Sequence, residues 1–327
     1  MSTQIYGTFG PSCGDGEILK KMIEAGMTGM RLNLSHTTLA ASEKYIRSYQ
    51  KQAEALGVTP QILIDMQGPE LRLGNLKPPV WLEEGQKVRL GKGEIEVPKE
   101  VIAVAQRGDS ILLDDGKIKG EVCGTEKDFL TVKVVRSGLL QPHKSIKIEN
   151  REVKMPVLTD HDIENIRLAK EYGVTAIMQP FVLKGEDLVY VRNILKENHA
   201  EDIRIFAKIE NRTGVKNLEN ILPQADVIVI ARGDLGNDMP LWELPAVQKQ
   251  IEETCKKNQK PYIVVTQMLA SMEEHPVPTR AEVSDIFHAV MHGAWGVMIT
   301  GESAVGKYPV EAVTYLSNTA KEAEKYR

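Results

Sequence analysis

The sequence predicts an α/β fold: a (β/α)8 TIM barrel with a small all-β module inserted after its third strand. Three observations carry this reading. Short apolar runs rich in β-formers alternate with helical patterns three times before about residue 71 and five times after about residue 155, and eight βα units in series is the arithmetic of a closed barrel. Between those stretches the helical periodicity stops and short alternating segments replace it. Of 327 residues, 42% are hydrophobic and 26% charged, which is globular and excludes disorder for the bulk of the chain. A doubly wound open sheet is the competing architecture for the same alternation.

The elements follow in order. Run 3–9 leads through Gly10-Pro11 into a helix at about 17–25, where Leu19, Met22 and Ile23 have helical spacing and Gly26 is the stop. Run 29–34 precedes a helix at about 38–56, stopped by Gly57, and run 60–65 ends in Asp65. The inserted stretch offers strands at 87–90, 94–97, 110–113, 117–122, 129–135 and 145–148, with Asp115-Gly116 as a hairpin turn. Helix 160–171 restarts the first rhythm, capped by Thr159 with Asp162 in its first turn. Strands at 175–178, 203–208, 226–231, 262–265 and 296–300 follow, separated or trailed by helices at about 185–197, 212–221, 244–258, 280–292 and 309–325. The expected domains are a barrel of residues 1–70 and 156–327 and an inserted domain of residues 71–155.

Charge and composition narrow the function. The net charge of −4, from 41 Lys and Arg against 45 Asp and Glu, gives no electrostatic case for nucleic acid or an anionic membrane as partner. No apolar run approaches the roughly 18 residues of a spanning helix. The first ten residues lack the charged and apolar regions of a signal peptide. Cys13, Cys123 and Cys255 are far apart and odd in number, which suits neither a zinc set nor a disulfide framework and fits a reducing cytoplasm.

A barrel of this kind works at the C-terminal ends of its strands, and the polar residues collect there. The second strand runs into Arg31, Asn33, Ser35 and His36, and the third ends in Asp65. The fourth ends in Gln179, the fifth in Lys208 and Glu210, and the sixth in Ala231, Arg232, Gly233 and Asp234. The seventh ends in Thr266-Gln267 and the eighth in Thr300, Gly301 and Glu302. Glu210 and Asp234 are hard oxygen ligands suited to Mg2+ or Mn2+. Lys208 and Arg31 suit a phosphoryl group or a developing enolate. Gly233 and its neighbours offer backbone N–H groups to a carboxylate. Asn33, Ser35 and Asp65 form an oxygen-rich set for a monovalent cation, and Thr266 suits a proton relay through water. Bland readings stand beside these. Glu210 and Asp234 also serve as ion-pair partners of Lys208 and Arg232. Asn33 and Ser35 also serve as helix caps, and Thr266 as the cap of the turn at 267–272. His275, His288 and His292, and the pair Met268 and Met272, read as structural.

At these residues the chain resembles the pyruvate kinase family. Thr8-Phe9-Gly10-Pro11-Ser12 is similar to T-I-G-P-A/S, Met30 to His36 to A-R-L-N-F-S-H, and Asp65 to Arg72 to D-T-K-G-P-E-I-R. Ala207 to Asn211 resembles S-K-I-E-N, and Ala231 to Gly236 reads A-R-G-D-L-G unchanged. Thr266 to Leu269, Pro278 to Glu282 and Gly301-Glu302-Ser303 also match. The resemblance implies a lid domain after the third strand, and it implies roles. Lys208 would stabilise the enolate and the phosphoryl in flight, and Glu210 and Asp234 would hold the divalent metal. Arg31 and Arg72 would hold the phosphoryl side, and Ala231, Arg232, Gly233, Asp234 and Thr266 would line the substrate. Asn33, Ser35, Asp65 and the Met66 carbonyl would bind K+, with Glu70 at the position that marks the family's K+-dependent members. Thr266 would stand on the proton path to the enolate carbon. Asn33, His36 and Lys307 would lie on the nucleotide side, and Asp115 in the lid would close over the site.

Three departures accompany the match. The chain ends just after the last barrel helix, without the family's usual C-terminal domain. Val305 stands where the family has a nucleotide-side Lys, with Lys307 two residues on, and Ala41 falls near an expected aromatic. Gln67 replaces a Lys. The expected reaction is phosphoryl transfer from phosphoenolpyruvate to ADP with Mg2+ (or Mn2+) and K+, giving pyruvate and ATP. The alternatives are an enzyme that makes the enolate of a 2-oxo acid for another acceptor, and a regulatory protein that only binds phosphoenolpyruvate. The expected setting is cytoplasmic, with neither nucleic acid nor membrane as partner and with homo-oligomerisation left open. Lys208→Met is expected to abolish turnover with little loss of fold.

Overall fold

Eight parallel strands close into a barrel in sequence order in the computed structural model: β1 Gln4–Thr8, β2 Gly29–Asn33, β3 Gln61–Asp65, β4 Ala176–Gln179, β5 Arg204–Ile209, β6 Val227–Ala231, β7 Tyr262–Val265 and β8 Gly296–Met298. The structure describes every residue except Met1, His36, Glu70, Lys77, Asp115, Asn150, Glu152 and Lys154. β1 pairs with β8 through Ile5 and Val297, which shuts the sheet and removes its edges. The open doubly wound sheet is thereby excluded.

Strand alternation sorts the side chains. Outward residues such as Ile62 and Ile64 of β3, Ile205, Ala207 and Ile209 of β5, and Ile228 and Ile230 of β6 pack against the surrounding helices in one large apolar cluster. Their neighbours fill the barrel: Tyr6, Leu63, Met178, Phe206, Val227, Val229, Ile263, Val265 and Met298. Tyr6 and Phe206 meet edge to face at 6.5 Å, and Phe206 and Trp295 do so at 6.1 Å. With the barrel filled by side chains, the chemistry is left to its rim.

Some helices start at side-chain caps. Asp15 accepts from Glu17 N ahead of helix Gly16–Glu24, and Thr159 with Asp162 forms a capping box on Asp160–Ala169. Two helices are shorter than their periodicity implies. The helix expected from residue 38 begins at Glu43, after a 3-10 turn over Ala40–Ser42. The helix expected over 212–221 is two pieces, Arg212–Lys216 and Leu218–Ile221, parted at Asn217, whose side-chain amide donates to the Leu183 carbonyl at 2.8 Å. That bond to a neighbouring loop is invisible to periodicity. The three cysteines are free.

The chain divides into two compact units, one of Met1–Gly68 with Val157–Arg327 and one of Pro69–Pro156. The second unit is an antiparallel sheet in the order Ile146–Ile148, Ser110–Leu113, Ile118–Thr125, Phe129–Arg136, Lys87–Gly91. It has a further strand pair, Val80–Leu82 with Gly138–Leu140, and its own core around Leu90, Val122, Leu130 and Val132. The strand expected at 94–97 is reduced to a single bridge between Leu90 and Ile95, and the short helix Lys99–Val104 follows it. Among the described residues no helix is long and apolar enough to cross a membrane.

Candidate active site

The parity that sends Phe206 into the barrel sends Lys208, two residues on, into the same interior at its C-terminal end. Its side chain is only 14% exposed, a state a lysine reaches only with partners. Lys208 Nζ lies 3.2 Å from Glu210 Oε2 and 3.5 Å from Asp65 Oδ1. The other Asp65 oxygen, Oδ2, accepts from Arg31 Nε at 2.9 Å and Nη2 at 2.7 Å, and Arg31 Nη1 reaches Thr8 Oγ1 at 3.4 Å. One carboxylate from β3 thus sits between a cation from β2 and a cation from β5.

The electrostatics follow from burial. Desolvation pulls the Lys208 ammonium down, but the carboxylates of Asp65, Glu210 and Asp234 outweigh it and hold the group firmly charged. Burial pushes the Glu210 carboxyl up to about 7, against the opposing pull of Lys208. Glu210 Oε1 accepts the Phe181 N–H at 2.7 Å. Glu210 Oε2 and Asp65 Oδ1 are buried and accept no hydrogen bond. Buried carboxylate oxygens without donors are uncommon, and here both face the space around one ammonium. Asp234 is exposed in the first turn of helix Arg232–Asn237. No cluster of three or more His, Cys, Asp or Glu groups able to hold a metal occurs among the described residues, so Glu210 and Asp234 would supply two protein carboxylates at most.

Thr266 departs from strand geometry. Val265 faces the barrel interior, so a continued strand would turn Thr266 outward; instead Thr266 and Gln267 both have positive φ, 72° and 55°. Thr266 Oγ1 accepts the Gly233 N–H at 2.8 Å and donates to the Val265 carbonyl at 2.5 Å. It caps no helix, since the following 3-10 turn begins from Leu269. The Gly233 N–H, expected to face a substrate carboxylate, is spent on Thr266. Arg232 does not pair with Asp234. Its guanidinium donates to Asp285 Oδ2 at 2.6 Å and to the Thr266 carbonyl.

The remaining sequence candidates separate. Asn33 Oδ1 accepts the Ser35 N–H at 3.2 Å, a local turn rather than a cap of helix Glu43–Ala55. Met66 is buried and donates its N–H to the Met178 carbonyl. Ala231 closes β6 and packs inside the barrel. Lys307 is exposed, and its amine is held by Glu274. Arg72 belongs to the second unit, where it donates to the His143 carbonyl at 2.7 Å. His36, Glu70 and Asp115 lie outside the described residues. His292 pairs with buried Glu252 at 3.3 Å and His288 bonds the Ser284 carbonyl, so both are structural.

Four acidic residues that frame the site escaped notice as such. Asp162, fully buried, caps its helix and also accepts from Gln67 N at 2.8 Å and Gly68 N at 3.1 Å, fixing the turn after Asp65. Glycine is required there twice over: Gly68 has φ 62°, and a Cβ would meet Pro180 Cγ at 2.4 Å. Glu302 accepts from Leu269 N and Thr300 N, tying the β7 and β8 loops together. Glu282 completes the Thr279 capping box and binds Ser271, and Asp285 anchors Arg232. The capping-box spacing was a usable signal for Asp162 and Glu282. Glu302 stands at the end of the eighth strand in the sequence, though not as a tie between loops, and nothing local marks Asp285.

A family model described as pyruvate kinase, barrel domain, matches residues 1–313. A pyruvate kinase of Thermococcus litoralis is 40% identical over 334 residues, covering 99% of this chain and 70% of that protein. One from Chlamydia pneumoniae is 37% identical over 332 residues, covering 99% and 69%. Against a Sporosarcina psychrophila pyruvate kinase, 37% identical, the chain spans 57% of the relative's length. A crystal structure of a pyruvate kinase from Cryptosporidium parvum superposes with a TM-score of 0.92 at 33% identity, over 99% of this chain and 69% of that one. The agreement in fold and sequence runs the length of the barrel and through the inserted unit, and it makes this chain a member of the pyruvate kinase family.

Proposed function

We propose that the chain transfers the phosphoryl group of phosphoenolpyruvate to ADP, giving ATP and an enolate that is protonated to pyruvate. The observation that carries this reading is the Lys208 ammonium, nearly buried between Asp65 and Glu210 at the C-terminal end of the barrel. A fixed cation there opposes the charge that develops on the enolate oxygen and on the phosphoryl in transit. Arg31, oriented by both its bonds to Asp65 Oδ2, adds a second cation.

The unsatisfied oxygens fit a further cation. Glu210 Oε2 is a buried acceptor without a donor, and with Asp234 it would hold Mg2+ or Mn2+, leaving the rest of the shell to substrate and water. Such an ion, when bound, neutralises charge on the transferring group. Asp65 Oδ1, 3.5 Å from the Lys208 ammonium, is a second buried oxygen that accepts no hydrogen bond, and with Asn33, Ser35 and the Met66 carbonyl it would serve K+. Protonation closes the reaction: the C2–C3 π pair of the enolate forms the new C–H bond, and C2–O becomes the carbonyl. A threonine hydroxyl is too weak an acid to be the donor, so Thr266 would hold the water that gives the proton.

The nucleotide side rests on Lys307. Its pair with Glu274 is exposed on both sides, where water screens the attraction, so a nucleotide phosphate displaces the carboxylate at small cost. The test is the stoichiometry of product with phosphoenolpyruvate, ADP, Mg2+ and K+ present. Equal amounts of pyruvate and ATP, both absent without ADP, are expected. Pyruvate formed without ADP would favour an enolate enzyme with another acceptor, and no product at all would sink the reading.

A further inference from the structure

We propose that Arg232 is the positioning residue for Thr266: its guanidinium, aimed by Asp285, holds residues 266 and 267 in the left-handed turn that brings the Thr266 hydroxyl round to Gly233. The inference rests on the reading that Thr266 stands on the proton path to the enolate carbon.

The backbone states the problem. Two successive residues with side chains, one of them β-branched, have φ of 72° and 55°. Conformations of this kind are strained and persist only where the surroundings over-determine them. Arg232 supplies that constraint. Its Nε and Nη2 donate to the Thr266 carbonyl at 3.1 and 2.7 Å, and Nη2 also reaches the Gln267 carbonyl at 3.2 Å. Nη1 is fixed by Asp285 Oδ2 at 2.6 Å, from helix Arg280–Met291. The side chain is 10% exposed, and each of its three nitrogens is engaged by protein. Arg232 is therefore placed to act on the turn rather than on a substrate.

The next residue finishes the grip. The Gly233 N–H donates to Thr266 Oγ1 at 2.8 Å, so consecutive residues hold the main chain and the hydroxyl of Thr266 together. With Gly233 donating, the hydroxyl hydrogen goes to the Val265 carbonyl and a second Oγ1 lone pair is left for the hydrogen of a water. A planar fork is needed to reach two adjacent carbonyls and a carboxylate at once, which a lysine ammonium does not provide.

The experiment compares two rates in the same preparations: deuterium exchange into the methyl group of pyruvate from deuterium oxide, with Mg2+ and K+ present, and ATP formation from phosphoenolpyruvate and ADP. The variants are Thr266→Ala, Arg232→Gln, Arg232→Lys and Asp285→Asn, each checked for fold by circular dichroism. Arg232→Gln is expected to lower exchange about 100-fold, the scale of losing a positioned group, and to lower the ratio of exchange to transfer as Thr266→Ala does. Arg232→Lys is expected not to restore the ratio, and Asp285→Asn to lower it about tenfold, which keeps the test open if Arg232→Gln fails to fold. A loss of both rates with an unchanged ratio in Arg232→Gln or Asp285→Asn would mean a merely structural role and overturn the proposal. A wild-type ratio in Thr266→Ala would instead overturn the reading of Thr266 on which the proposal stands.

Discussion

At the rim of the barrel, Arg31, Asp65, Lys208 and Glu210 each keep 14% or less of the side chain in water. In the inserted β unit each of three ion pairs keeps at least one partner in water: Arg151 is 31% exposed beside Asp109 at 14%, Glu149 35% beside Lys119 at 29%, and Lys117 68% beside Asp114 at 11%. The two regions use the same residue types to opposite ends. Burying four charges against a closed barrel costs desolvation that a packed apolar cluster would avoid, and two carboxylate oxygens there still lack donors. Such a concentration is retained for chemistry rather than stability. The pairs of the β unit are each worth little, and the one buried oxygen without a hydrogen bond there, Asp114 Oδ1, already faces the Lys144 ammonium at 3.1 Å.

The comparison is broken most severely by Lys208→Met. From the sequence, the mouth is solvent-facing and the variant folds almost as well as the parent. The burial of Lys208 reverses that expectation, because Glu210 loses its counter-charge and Asp65 keeps only Arg31. A loss of about 3–5 kcal/mol is expected, read as a fall in the denaturation midpoint. An unchanged midpoint would show that the cluster is wetter than its exposure indicates.

Asp162→Ala comes next. It deletes the acceptor of Gln67 N, Gly68 N and the Thr159 N–H and hydroxyl, within a fully buried position. The expected cost is about 2–3 kcal/mol, the scale of stranding buried donors, and a urea titration checks it. Glu210→Gln sharpens the contrast from the ligand side. Mn2+ affinity is expected to fall by more than the roughly 10–100-fold that outer-shell partners cost, read by calorimetric titration of the folded variant.

The smallest effect belongs to the β unit. The Arg151 guanidinium donates to Asp109 and holds its carboxyl below the usual carboxylate range. A depressed value in the folded state contributes stability above the unfolded value of about 3.9 and loses it as pH falls through the folded value. Arg151→Gln is accordingly expected to lower the denaturation midpoint slightly near neutrality and not at all once the solution is more acidic than both values. Methyl resonances of Val122 and Val132, followed through acid titration, report the unit directly. A variant equally destabilised at both extremes would assign the effect to packing of the Arg151 stem.

How far the sequence could be read differs between the same two regions. In the barrel, most strands are short apolar runs and several helices carry a readable cap, such as Thr159 and Thr279, so the eight units and Lys208, Glu210, Asp65 and Arg31 were all legible. Long-range closure was not. Asp285 lies 53 residues from Arg232, and no local pattern joins them. The outward parity of Thr266 was readable, but the left-handed turn that reverses it was not, since neither Thr266 nor Gln267 signals positive φ. In the β unit, three-residue strands such as Val80–Leu82 and Gly138–Leu140 fall below the length at which alternation is visible. The helix Lys99–Val104 was missed for the same reason, being under two turns long.

The measurement that bears most directly on the account is deuterium exchange into pyruvate by the wild-type chain and by Lys208→Met under one set of conditions, with Mg2+ and K+ present and both proteins shown to be folded. The account predicts exchange by the first and none by the second, because the enolate loses the cation that opposes its charge. Equal exchange by both would contradict it and move the chemistry of this barrel away from Lys208.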